Sequence, residues 1–274
     1  MSTQNDFLTS VCIDAQTMCE EADALREQGY YPAAETGYLK ALEMLSAQEP
    51  ETQITWATVA NNLGILYKYM ARYAEAETLY RSALAILKHA FGEVHSDIAS
   101  LYHNLGGLKH AQGQAALGEA DARRSVEIRQ QLYGAAHPDV AADKAALAAI
   151  LDAQGRYDEA ETLYQDALAV FHQVYGPDDL EVGINYNNLG AIRYYQGDYV
   201  EAERYYTRAL TIKEKELGAE HPDIAMTLNN LAVLYDSQHR RADALGCYQR
   251  ALTIWQATLA PDHPHIQLCL ENMG

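Results

Sequence analysis

Ten histidines, four cysteines and a recurring pair of asparagines are the residues of this 274-residue chain with the most chemical reach. His95, His137, His221 and His263 fall at equivalent points of successive loops. A zinc ion needs its ligands about 2 Å from one centre, whereas packed helix pairs stand on the order of 10 Å apart. These four are therefore expected as turn residues, not ligands. His103 and His110 lie two helical turns apart, roughly 10 Å by helical rise, which suits contacts along a binding face better than a metal site. Cys12, Cys19, Cys247 and Cys269 include no C-x-x-C pair and are expected as reduced, buried thiols. No H-E-x-x-H, no G-x-x-x-x-G-K and no nucleophile elbow occurs. The expectation is a non-enzymatic protein with no metal and no cofactor.

The asparagines carry a different chemistry. Asn61-Asn62, His103-Asn104, Ala145-Ala146, Asn187-Asn188 and Asn229-Asn230 precede Leu63, Leu105, Leu147, Leu189 and Leu231, and those leucines are spaced by a constant 42 residues. A side-chain amide offers two donors and one acceptor group, so a ladder of them can pair with the N–H and C=O of an extended peptide whatever its sequence. The competing expectation is that they bridge adjacent repeats, above all in the column of Asn61, Asn187 and Asn229.

A fixed period of this length marks a repeat array, in which each unit buries its core only against its neighbours. Within a unit the apolar spacing is that of two helices. Ala60, Leu63, Gly64, Tyr67 and Met70 form the stripe of the first, and Ala76, Leu79, Tyr80, Ala83, Leu84 and Leu87 that of the second. Between them runs the turn column Gly29, Ala71, Gly113, Gly155, Gly197 and His239, where a left-handed residue ends a helix. After the second helix come segments such as Tyr133-Gly134-Ala135-Ala136-His137-Pro138-Asp139, in which Gly closes a helix, Pro blocks its continuation and Asp is expected to cap the next. The small-residue column Gly64, Gly106, Ala148, Gly190, Ala232 is expected to face Ala76, Gly118, Ala160, Ala202, Ala244, with Tyr38, Tyr80, Tyr164, Tyr206 and Tyr248 filling the space beside that close approach.

The series Leu-Gly, Tyr, Gly-x-Tyr, Ala, Tyr, Ala-Leu, with Leu-Gly-x-x-His-Pro-Asp between units, resembles the 42-residue tetratricopeptide repeats of kinesin light chains and their bacterial relatives. The resemblance implies an all-α, right-handed α-solenoid of tetratricopeptide helix pairs whose first helices line a concave groove for peptides or proteins. It also implies that Asn in the column of Asn62, Asn104, Asn188 and Asn230 contacts peptide backbone. The expected layout is one array over 1–274, with units near 8–50, 55–92, 97–134, 139–176, 181–218 and 223–260 and a truncated seventh first helix over 265–274. In the third unit Ala115, Gly118, Ala122 and Ser125 replace Tyr, Ala, Tyr and Ala, which reads as a drifted repeat, a joint or a hollow. At the carboxyl end Ile266, Leu268 and Leu270 lack a second helix, so a fragment of a longer protein or a self-associating end is a further expectation.

The formal charge of −18, from 38 acids and 20 bases, argues against nucleic acid as partner. It fits a solvated acidic surface or a basic ligand. No apolar run reaches the ~20 residues of a membrane span, and the start of the chain lacks a signal peptide's basic residues, so the expectation is a cytoplasmic protein with no membrane contact.

With Leu63, Gly64 and Tyr67 turned inward, helical geometry turns the Asn, Ile65 and Lys68 columns outward. The candidate peptide-binding residues are Asn61, Asn62, Asn104, Asn187, Asn188, Asn229, Asn230, Lys68, His103, His110, Ala191, Tyr194, Tyr195, Met226 and Val233. Lys68, His110, Asp152, Tyr194 and Asp236 form one mixed, chargeable column. Three functions are consistent with this: a scaffold binding a protein or extended peptide in an Asn-lined groove, a structural module that self-associates, or a small-molecule-binding or catalytic solenoid built near Ala145, Ala146, Ala149 and His110.

Overall fold

The computed structural model describes residues 2–45, 49–50, 52–261 and 263–274, with side chains from residue 8 onward; residues 46–48, inside the expected first unit, lie outside the described residues. Helices account for nearly all of it: α1 (Ser2–Glu27), α2 (Tyr31–Met44), α3 (Gln53–Tyr69), α4 (Tyr73–Phe91), α5 (Ser96–Ala111), α6 (Ala115–Tyr133), α7 (Pro138–Asp152), α8 (Tyr157–Tyr175), α9 (Leu180–Tyr195), α10 (Tyr199–Leu217), α11 (Pro222–Ser237), α12 (Arg241–Thr258) and α13 (Pro264–Met273). These are six helix pairs and a thirteenth helix, and no strand occurs among the described residues. They form two compact units, Met1–Ala135 and Ala136–Gly274. In the first unit α1, α3 and α5 lie side by side, with α2 and α4 each packed between successive members; in the second, α7, α9 and α11 do so with α8 and α10.

Turn residues set the pairing. Gly29, Gly113, Gly155 and Gly197 hold φ between +71° and +81°, and the same backbone is imposed on Ala71 (φ +57°) and His239 (φ +60°). The left-handed conformation costs an L-residue roughly 1–2 kcal/mol, so packing of the flanking helices enforces it at the two non-glycine sites.

The helix starts correct one expectation. The imidazole, not the aspartate two residues later, is the cap: Nδ1 of His95, His137 and His221 accepts from the backbone N–H of Asp97, Asp139 and Asp223 at 3.3, 3.2 and 3.2 Å, and His263 accepts from His265 N–H at 3.2 Å. Asp179 takes the same place before α9, accepting from Glu181 N–H at 2.9 Å. One orphan donor of each first turn is thereby satisfied, and the acids displaced to the first turn sit where the helix dipole favours negative charge.

The close approach is built differently from the expectation, because Gly64 and Gly190 face the tyrosine column, not Ala76 and Ala202. A Cβ on Gly64 would lie 2.5 Å from Cε1 of Tyr80, and one on Gly190 2.7 Å from Cδ1 of Tyr206. Where the tyrosine is missing, α5 and α6 close the gap themselves: a Cβ on Gly118 would meet the Gly106 carbonyl oxygen at 2.6 Å. The third pair therefore holds a backbone-to-backbone contact, not a hollow between its helices. Tyr38, Tyr80, Tyr164 and Tyr248 are at most 1% exposed, so each hydroxyl needs a partner inside. Tyr38 donates to Asp23 at 2.6 Å. Ile65 stands where Asp23 stands in the preceding repeat, and the Tyr80 hydroxyl is left without a partner.

At the carboxyl end Ile266 is 3% exposed and packs with Cys269 against α12. It is thus covered, contrary to expectation, while Leu268 and Leu270 stay exposed.

Candidate functional site

The candidate residues fall on first helices in both units. Asn61, Asn62, Lys68, His103, Asn104 and His110 lie on α3 and α5; Asn187, Asn188, Ala191, Tyr194, Tyr195, Met226, Asn229, Asn230 and Val233 lie on α9 and α11. All seven asparagines are half-buried. Amides of Asn61 and Asn104, and of Asn187 and Asn230, meet across repeats. Asn104 Nδ2 donates to Asn61 Oδ1 at 2.8 Å, Asn61 to Asn62 Oδ1 at 3.1 Å, and Asn62 to Asp23 Oδ2 at 2.9 Å. In the second unit Asn230 donates to Asn187 Oδ1 at 3.3 Å and Asn187 to Asn188 Oδ1 at 3.5 Å, while Asn188 reaches the Tyr164 phenol. Thr227 also donates to Asn187 Oδ1, at 3.1 Å, and itself accepts from Lys213, a nearly buried ammonium. Inter-repeat bridging thus includes Asn104 and Asn230 as well as the expected Asn61 and Asn187.

Beside the amides the two units differ. In the first, Lys68 is half-buried, its ammonium pushed below the usual lysine range by desolvation, and a Cβ on Gly107 would come within 3.1 Å of Nζ. Burial also lowers the pKa of His110, and the Lys68 charge adds to that. A cleft of about 380 Å³ between α1 and α3 is lined by Glu20, Asp23, Ile54, Thr55, Thr58 and Asn62. In its wall, burial, reinforced by Asp23, pushes the Cys19 thiol up to about 11, which makes it a poor nucleophile at neutral pH. Cys269 is likewise buried, whereas Cys12 and Cys247 are half-buried.

In the second unit Ala191 and Tyr194 pack against the Tyr206 cluster and Val233 against the Tyr248 cluster. Tyr195 and Met226 remain 61% and 40% exposed. Tyr195 stacks on Tyr157 with ring centroids 5.5 Å apart and meets Tyr194 edge-on at 5.4 Å; Tyr194 in turn packs on Tyr199 at 5.7 Å. Tyr157 and Asp152, which desolvation holds above the usual carboxylate range, are functional candidates absent from the expected set. Their signal is legible by comparing columns: Tyr157 occupies the position of Arg241. Among the described residues no three His, Cys, Asp or Glu side chains converge to hold a metal ion, and no helix is long and apolar enough to cross a membrane.

The family model of the tetratricopeptide repeat matches residues 56–97, 97–171, 142–215, 181–257 and 223–274. The chain belongs to the tetratricopeptide repeat family. No curated protein matches this tetratricopeptide repeat chain, but solved structures do. It is similar to BtubC (BKLC) from P. vanneervenii, with 24% identity over 93% of this chain and 94% of that one and a TM-score of 0.65. Repeats assigned to a kinesin light chain from Podosopora anserina share 22% identity over 73% and 95%, with a TM-score of 0.60. A Rap protein complexed with competence and sporulation factor shares 16% over 98% and 78%, with a TM-score of 0.66. At these identities the likeness concerns the fold, and it agrees with the kinesin-light-chain type of repeat expected from the sequence.

Proposed function

We propose that this tetratricopeptide repeat protein is a non-catalytic scaffold that binds a protein or extended peptide across its first helices. The observation that carries this reading is the exposure of Tyr195 and Met226 beside the half-buried amides of Asn188 and Asn230. Large apolar side chains held in the open next to polar groups form an interaction surface. Asn187 and Asn230 each spend one N–H inside the fold, leaving donor capacity for the backbone of a ligand. The solved complex of a Rap protein supports the reading by fold alone. The unbroken 42-residue period supports one array over 1–274, and a reducing compartment such as the cytoplasm suits its four thiols.

Affinity capture with mass spectrometry would identify the partner, and calorimetry would measure it. Asn230→Ala with Met226→Ala should weaken binding about tenfold to a hundredfold, at ~1.4 kcal/mol per decade. Unchanged affinity in a variant with an unchanged melting midpoint would overturn the reading.

A further inference from the structure

Asp152 and Asp236 hold the same position two repeats apart. Asp236 is answered inside the chain: Arg241 donates to its two carboxylate oxygens at 3.0 and 2.9 Å. In the fourth repeat the position of Arg241 is Tyr157. Asp152 is left half-buried, with desolvation acting on its carboxyl and no cation among the described residues offsetting it. The groups that feel its charge are phenols from three helices, Tyr164 of α8, Tyr195 of α9 and Tyr206 of α10.

A desolvated carboxylate without a counter-ion is costly to keep, and here its charge is felt by tyrosines, one of them 61% exposed. The same chain shows what such a combination holds. The Arg72 guanidinium lies 3.8 Å from the centre of the Tyr67 ring while pairing with Glu35 and Glu75, each at 2.5 Å. Arg240 lies 4.2 Å from the Tyr235 ring while pairing with Glu203 and Asp243, each at 2.8 Å. Ring and carboxylate stand together again at Tyr195 and Asp152, while Arg156, in the column of Arg72 and Arg240, pairs with Glu159 and does not offset the Asp152 charge.

We propose that Asp152, with the open ring of Tyr195 and its neighbours Tyr157 and Tyr194, is the binding site for the guanidinium or ammonium group of a basic residue in the partner polypeptide. A cation over a tyrosine face within about 6 Å is attracted by the ring quadrupole, and the carboxylate supplies the charge-assisted hydrogen bond. The net charge of −18 favours encounter with a basic segment. This assignment rests on the polypeptide-binding reading above and names the ligand chemistry at one point of it.

The test uses the full chain with acetyl-arginine amide and its neutral isostere acetyl-citrulline amide as probes, read by NMR of the tyrosine rings. The arginine probe should give saturable shifts at Tyr195 and Tyr157 that the citrulline probe does not. Asp152→Asn and, separately, Tyr195→Ala should each abolish them; the two variants act through charge and ring face, so a folding defect in one leaves the other informative. No saturable shift, an equal response to citrulline, or full response in Asp152→Asn overturns the site. For a captured partner peptide, replacing its arginines and lysines in turn by citrulline or norleucine should cost about tenfold at one position with the native chain and nothing with Asp152→Asn. A captured peptide that is sensitive to Met226→Ala but indifferent to Asp152→Asn leaves the scaffold reading standing and overturns the site. Arginine binding with no polypeptide sensitive to Met226→Ala supports the site and overturns the scaffold reading.

Discussion

Asn104 Nδ2 donates to Asn61 Oδ1 at 2.8 Å, joining residues one repeat plus one position apart. Two first helices are thereby tied at the amide rows, so part of the asparagine pattern is structural.

That tie is measurable by a double-mutant cycle in urea. Asn61→Ala and Asn104→Ala should each destabilise the chain, and together by about 0.5–1.5 kcal/mol less than their sum. Strict additivity would place the effect elsewhere.

Two glycines in helices give opposite expectations for one substitution. Gly190→Ala drives a Cβ to within 2.7 Å of the Tyr206 ring and should cost about 1–3 kcal/mol. Gly246 in α12 has nothing within 4 Å of a new Cβ, so Gly246→Ala should stabilise by roughly 0.5–1 kcal/mol through helix propensity. Thermal melts followed by circular dichroism should move in opposite directions.

The tyrosine column makes a similar contrast. Tyr80→Phe removes a buried hydroxyl that has no partner and should be neutral or stabilising. Tyr38→Phe removes a hydrogen bond to Asp23, whose carboxylate keeps Arg26 and Asn62, and should cost about 0.5–1.5 kcal/mol. Equal losses from the two would show that the Tyr80 hydroxyl is satisfied in solution.

Acid should loosen α13. His265 stacks on Trp255 at 5.2 Å, and burial, with a smaller contribution from His263, lowers its pKa below the ordinary 6.5. A depressed folded pKa gives stability that is full above 6.5 and is lost as pH falls through the lower folded value. In a Trp56→Phe background, Trp255 fluorescence should report a pH-dependent drop in melting midpoint that His265→Gln reduces.

Asp152 should act in the opposite sense. Desolvation raises its folded pKa above the usual 3.8, so its penalty is absent below 3.8 and fully developed once pH has risen past the raised folded value. The facing groups, Tyr164, Tyr195 and Tyr206, are neutral throughout that range. Asp152→Asn should raise the melting midpoint at pH 7 and leave it unchanged at pH 3.

The period, the turn column and the small-residue columns are legible in the sequence because each follows from one local constraint repeated every 42 residues. Gly29 to His239 share one backbone conformation, and Gly64 and Gly190 share one clash. What the sequence hid depends on what stands across from a residue. The Asn62 amide is committed because Asp23 lies on the neighbouring helix, Ile266 is covered because α12 has a free flank, and Asp152 is unanswered because Tyr157 replaced an arginine. Capping by His95 and its equivalents was missed because Asp97 carries the more familiar capping side chain.

The amide run in the first unit also has a direction. A carboxylate can only accept, so Asp23 fixes which end of the Asn62 side chain turns toward it; Asn62 then presents its oxygen to Asn61, and Asn61 its oxygen to Asn104. One ionised group thereby sets the sense of three consecutive dipoles, each polarising the next. The matching run in the second unit ends on the phenol of Tyr164, which can donate or accept, and its bonds are longer at 3.3 and 3.5 Å. The first run takes its polarity from an acceptor at its end, whereas the second is oriented from its side, where the Lys213 ammonium donates to Thr227 and Thr227 to the Asn187 oxygen.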